Sequence, residues 1–404
     1  MDADLRARGL WGLRADAAQL WPDPGRHHPD RRGVTRRARD PPPSHGGDLG
    51  DGVGDAVGVG RGRAHHHDGV VIDGPRGKRI VARGASDDKG QLMTFVEAIR
   101  AWKSVHGALP VRVVILLEGE EESGSESLVP FLNEHREELL ADTCIVCDTS
   151  MWDEDTPAIT SRLRGLVYIE ATMHGPSHDL HSGGYGGAVV NPANALTKIL
   201  GQPHDDDGRV LIDGFYDDVD EVSSEQIEQW NSLGDADALV LESSGAKAIH
   251  GEKGFGTLER LWSRPTCDIN GLWAGYTGEG AKTVIGATAS AKISCRLVAS
   301  QNPQKIEGSL FAFLEERTPE GCHWTLKSFG ASPAIAVPTD SPWLSAASDA
   351  LTSIFPNPAV LIGTGGSIPV VGEFQEILGV DAVLVGFSLD DDLIHAPNEK
   401  YEVS

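Results

Sequence analysis

Two aspartates stand side by side at Asp87 and Asp88, in the stretch RGASDDKGQ (83–91). They follow a short apolar run, KRIVARG (78–84), and precede a helical pattern, GQLMTFVEAIRAWKSV (90–105). A second acidic group, Glu118, Glu120, Glu121 and Glu122, closes the apolar run VRVVILLEG (111–119) and the residues after it. A third acid, Asp148, ends TCIVCD (143–148). Carboxylates gathered in one place raise each other's pKa and cannot all stay ionised without a cation. A divalent ion resolves that conflict, and two resolve it better. The stretch DDDLIHAPNEKY (390–401) adds His395 directly after an acidic loop. Oxygen donors with an imidazole suit zinc or manganese rather than a thiolate site. One acidic strand end is ordinarily a solvated loop, or a helix cap favoured by the helix dipole. Three at the same topological place, with a histidine, exceed what capping explains.

These residues need elements to hold them. Each acidic group ends a strand-like run, and SESLVPFLNEHREELL (125–140) reads as a helix between two of them. Strands alternating with helices imply right-handed βαβ units and a parallel sheet. In such a sheet, ligands bind at the carboxyl edge of the strands. From Gly165 the pattern changes. An alternating strand, GLVYIEATMHG, is followed by a helix at 191–200 and two strand-like runs within 282–298. A helix at 302–317 and a strand at 323–330 complete the order β-α-β-β-α-β, which predicts a ferredoxin-like α+β domain. Residues 201–281 are the least legible part. After Pro333 the α/β pattern resumes with SPWLSAASDALTSIF (341–355), GGSIPVV (365–371) and VDAVLVGF (380–387). The expectation is an α/β, mainly parallel-sheet domain over 71–164 and 334–404, interrupted by an inserted α+β domain over 165–333.

Composition narrows the class. The 404 residues suit two domains better than one. A formal charge of −25 argues against nucleic acid as a partner, because phosphates need Lys and Arg. No stretch is long and apolar enough to span a membrane, and the N-terminus lacks the apolar core of a secretory signal. Five widely spread cysteines read as reduced thiols in a cytoplasmic protein. Cys144 and Cys147 have metal-ligand spacing but lie within a buried strand pattern, so they read as core thiols. Residues 1–70 differ in texture, with eleven Arg, ten Asp and no Glu, Lys, Ile, Phe, Tyr, Asn or Cys. They show no period of 3.6 or 2 and read as a poorly ordered leader, or as a GC-rich gene translated in the wrong frame.

The motifs GASDDKG, EGEEESGS, DLHSGGYGG, GGSIPV and HAPNEKY, in that order between Val70 and Ser404, resemble the M20 family of metallopeptidases, and its dipeptidase branch in particular. That resemblance implies a two-metal catalytic domain interrupted by a lid that often dimerises. It implies Asp87 as the ligand bridging both metals, joined to Asp88 by a cis peptide. Glu121 would be the general base, with Glu122, Asp148 and His395 as further ligands. His181 would reach across the dimer to the reacting carbonyl oxygen, and Arg296 would hold a substrate carboxylate. The implied cofactor is a pair of divalent metals, zinc first, with manganese or cobalt as alternatives. The implied substrate is a dipeptide or small peptide, although an N-acyl amino acid would suit the same site.

Three departures stand beside the resemblance. Family members carry G-H-x-D-V-Q-P on a strand roughly 35–40 residues before the Asp-Asp pair, supplying a metal-binding histidine. Here that place falls in SHGGDLGDGVGD, near His45, without the motif. His66-His67-Asp68 has an H-x-D pattern but lies too close to Asp87. The chain also stops at EVS, short of the family's final helix. Gly363 and Thr364 stand where relatives often have an arginine. A catalytically silent relative that keeps the fold is therefore the alternative to an active hydrolase.

Overall fold

The computed structural model describes residues 69–403 other than 122–124, 367 and 397, together with the two-residue strand Arg8–Gly9. The expectations for the leader segment, and for His45, His66, His67 and Asp68 within it, fall outside the described residues. Strands β1 (Val70–Gly74) and β2 (Gly77–Val81) form an antiparallel hairpin. A six-residue turn, Ala85–Gly90, then leads into α1 (Gln91–His106). Within the apolar run 111–119 only Arg112–Val113 has strand pairing, parallel to Arg8–Gly9. Helix α2 (Leu128–Glu134) follows, then β3 (Cys144–Val146) and β4 (Ala158–Leu163).

The next stretch builds a separate sheet. In β5 (Gly165–His174) alternate residues are buried, the period of a strand with one covered face. Helix α3 (Pro192–Leu200) comes next, and after a long connection β6 (Thr266–Ala274), β7 (Thr288–Leu297), α7 (Pro303–Glu316) and β8 (His323–Ser332). The long connection holds α4 (Ser224–Asn231), α5 (Ala236–Ser244) and α6 (Thr257–Trp262). The four strands lie in the order β8-β5-β7-β6, with every ladder antiparallel. Val167, Ile169, Ala171 and Met173 of β5 face α3 and α7 and bury Leu196, Leu310 and Leu314. Both helices begin at an Asn-Pro pair: Asn191 and Asn302 accept backbone N–H groups at 3.0 and 2.9 Å, and the proline fills the first helical position.

The chain then returns through α8 (Pro342–Thr352), β9 (Val360–Thr364), α9 (Pro369–Glu373), β10 (Ala382–Val385) and β11 (Lys400–Glu402). Strand β9 runs parallel to β4, and β10 parallel to β3, but β10 is antiparallel to β4, and so is the short pair Ile335–Ala336. This corrects the expected mainly parallel sheet: the sheet is mixed. Apolar runs mark strands buried on both faces but do not encode the direction of their neighbours. A second correction concerns KRIVARG. It forms β2, which pairs antiparallel with β1 and β11 in its own three-stranded sheet.

The least legible stretch also departs from expectation. Helices α4 and α6 pack on β9 of the mixed sheet rather than joining the β5–β8 sheet. Trp230 and Trp262 meet edge to face at 5.2 Å, Trp152 meets Trp262 at 6.1 Å, and the Trp230 indole donates to the Leu361 carbonyl at 3.1 Å. Gly363 admits this packing, since a Cβ there would sit 2.5 Å from the Trp262 Cβ. So residues 224–262, within the segment assigned to the inserted domain, are anchored on the other sheet.

Candidate metal centre

Three acidic segments far apart in sequence converge on one cavity of about 480 Å³. Asp87, Asp88, Glu118, Glu121 and Asp148 line its polar part. Leu92, Phe95, Ile115, Leu117, Ile145 and Ile368 line the rest. His395 joins from the far end of the chain, its Nε2 3.0 Å from Asp87 Oδ2. Asp87 leaves the Ala85–Gly90 turn in an extended conformation (φ −106°, ψ 94°), and its peptide to Asp88 is cis. His395 and Leu393 have positive φ values of 66° and 56°, uncommon for residues with side chains. Such backbone persists where the surroundings over-determine it.

The electrostatics match a cation site. Burial, then the charges of Asp148 and Asp87, push the Asp88 carboxyl up to about 8, against a weaker pull from its hydrogen bond with Gln91. Burial, then Asp88 and Asp148, also raise the Cys147 thiol far above its ordinary range. Cys147 is therefore a protonated wall residue, not a thiolate ligand.

The sequence-based site residues are distributed as follows. Asp87, Glu121, Asp148 and His395 come together, although Asp87 arrives from a turn after an antiparallel strand, not from a parallel sheet edge. Glu122 lies outside the described residues. Glu120 serves elsewhere: its carboxylate accepts Ser127 N at 3.0 Å and Ser127 Oγ at 3.1 Å, capping α2. His181 and Arg296 are not on the cavity wall. His181 ends the short strand Leu180–His181, where its Nδ1 accepts Gly183 N at 3.0 Å and its Nε2 lies 3.2 Å from Thr283 Oγ1. Arg296 lies on β7, close enough to depress Arg164: burial, then the Arg296 charge, bring that guanidinium to about 10.

Sequence reasoning missed the groups that hold these loops. Glu399 is fully buried, and its carboxylate accepts Gly84, Ser86 and Asp87 N–H at 2.9, 2.7 and 2.6 Å, and Arg83 Nη1 at 2.8 Å. Burial raises its pKa, but these donors outweigh burial and hold it below the usual carboxylate range. Gln91, also buried, accepts Phe387 N at 2.8 Å. The only available signal was NEKY, whose partners lie hundreds of residues upstream.

The donor set suits a hard divalent cation: carboxylates, one imidazole and no thiolate. Among the described residues, no three His, Cys, Asp or Glu side chains close on one point as a metal-holding group. Residues 55–404 match the peptidase family M20/M25/M40. The chain belongs to that family. A Cys-Gly metallodipeptidase of Candida albicans is 29% identical over 343 residues, covering 80% of this chain and 68% of the relative. A human Beta-Ala-His dipeptidase is 30% identical over 329 residues, covering 80% and 64%. The chain thus spans about two thirds of the length of these relatives. The crystal structure of an M20 family metallo-carboxypeptidase from Sulfolobus solfataricus superposes with a TM-score of 0.69 at 32% identity, covering 80% of this chain and 73% of that one. Within the family the chain stands in the dipeptidase branch, among metal-dependent peptidases.

Proposed function

We propose that this M20 chain hydrolyses the amide bond of dipeptides or small peptides using two divalent cations, zinc first, with manganese or cobalt as alternatives. The observation that carries the proposal is the convergence of Asp87, Glu121 and Asp148 on one cavity, with His395 3.0 Å from Asp87. Asp87 would be shared between the ions, Asp148 and Glu122 would be further carboxylate ligands, and His395 the imidazole ligand. Bound there, the ions would polarise the scissile carbonyl and acidify the attacking water. Glu121 takes the proton from that water and returns it to the leaving amine, the task of a general acid–base carboxylate beside the reacting atoms.

The antiparallel β5–β8 sheet with its two helices is proposed as the lid. His181 would stabilise the developing oxyanion from the lid of a second subunit. Arg296 would hold the substrate carboxylate, a bidentate task suited to a guanidinium. A homodimer through this sheet is supported by edge strand β6, which exposes Ile269, Leu272 and Trp273. All five cysteines are free, and no helix among the described residues is long and apolar enough to cross a membrane. The proposed location is the cytoplasm.

Metal analysis combined with a dipeptide assay tests this reading. Two ions per chain, and turnover abolished by Glu121→Gln with both ions retained, are expected. A chain that binds at most one ion and turns over neither dipeptides nor N-acyl amino acids would refute it.

A further inference from the structure

We infer that Glu399 is a positioning residue for the metal-binding edge: its buried carboxylate sets the backbone from which Asp87 projects, while its neighbour Lys400 fixes the loop that carries His395. The inference rests on the metal reading above. Both carboxylate oxygens of Glu399 are fully engaged. One carboxylate oxygen takes Ser86 and Asp87 N–H, and the other takes Gly84 N–H and the Arg83 guanidinium. An ionised carboxylate only accepts, so it suits four donors converging on two oxygens. An amide in its place would turn N–H groups toward N–H groups.

Lys400, which opens β11, holds the other loop. Its ammonium, almost fully buried, donates to Asp392 at 2.8 Å, Asp391 at 3.0 Å and Glu402 at 3.2 Å. The second oxygen of Asp392 accepts Ser86 Oγ and Leu389 N, each at 2.9 Å. Ser86 is therefore gripped twice, by Glu399 at its amide and by Asp392 at its hydroxyl. Leu393 and His395, both at positive φ, follow directly from the turn that Lys400 holds. The Asp87 loop and the His395 loop are thus built on one frame, and the 3.0 Å approach of their side chains follows from it. Groups that orient metal ligands in this way alter metal affinity when removed, because the ligands must then be ordered by the ion itself.

The test compares wild type with Glu399→Gln. Zinc affinity is measured by competition with a chromophoric chelator, unfolding by circular dichroism, and kcat and KM on a dipeptide at saturating zinc. Expected are zinc binding weaker by about 10-fold or more, a lower kcat, and KM within about twofold of wild type, because Glu399 does not touch substrate. Unchanged zinc affinity in a folded variant, with only a lower unfolding temperature, overturns the inference. If Glu399→Gln does not fold, Arg83→Met removes one donor at a half-exposed position. It should weaken zinc in the same direction at an unchanged unfolding midpoint, and unchanged affinity overturns the inference. Wild type that binds no zinc defeats the metal reading and this inference together. Wild type that binds, with variants equal to it, defeats only the clamp.

Discussion

Asp88 is a carboxyl whose ionisation this cavity resists. Its value of about 8 without metal lies far above the 3.8 of an exposed aspartate. Well below 3.8 both folded and unfolded chains hold the proton. As pH rises the unfolded chain loses it first, so the metal-free fold is progressively destabilised up to about pH 8 and no further. A bound cation reverses the balance by favouring the carboxylate. Metal binding below pH 8 should therefore expel a proton, and its affinity should rise with pH to that point. Calorimetry in buffers of different ionisation enthalpy reads the released proton directly. Asp88→Asn should abolish the release while making the metal-free protein more stable at pH 8. Proton release that persists in Asp88→Asn would assign it to another group.

At the scale of elements, the tryptophan cluster joins helices that the sequence left obscure to a sheet that it suggested. Trp230 and Trp262 are buried among Ala158, Leu258 and Ile362. Trp262→Ala should cost about 3–5 kcal/mol of stability, read by denaturant unfolding. Gly363→Ala should also destabilise, because its new methyl carbon meets Trp262. A cost below about 1 kcal/mol for Trp262→Ala would mean that these helices do not depend on the sheet. Legibility varied with the range of the signal. Strand β5 was readable because ten residues alternate without interruption, and α3 and α7 because Asn-Pro pairs start apolar helical patterns. The gathering of Asp87, Glu121 and Asp148 on one cavity was readable because several like charges need a common explanation, whereas their placement at parallel strand ends was not. Sheet direction was not, since an apolar run fits either neighbour. The run at 111–119 was misleading: only Arg112–Val113 pairs, residues 113–116 are half-buried, and Leu117 onward is exposed. Helices α4 and α6 escaped notice because each is short and carries only two or three apolar residues, too few to show a period. Glu399 escaped because its partners lie more than 300 residues away.

At the scale of the whole molecule, the formal charge of −25 sets a field that every substrate must cross. Acidic dipeptides approach against it and basic ones with it, and salt screens both over about 10 Å at 0.1 M. Raising ionic strength should therefore lower KM for a dipeptide with an acidic side chain and raise it for one with a basic side chain, with kcat steady. Equal responses from both would show that the site is shielded from the surface charge.

The place of β11 has a consequence for how the protein is born. Asp87 is made early, but the carboxylate that arranges its backbone and the ammonium that steadies the His395 loop belong to residues 399 and 400. While the chain is still being synthesised, the β5–β8 sheet can form and bury its core, because all its strands lie between residues 165 and 332. The metal edge cannot: it waits for the residues up to β11 to leave the ribosome. Nascent chains stalled before residue 399 should carry a folded antiparallel sheet beside an unassembled centre, so ion loading follows the folding of that sheet.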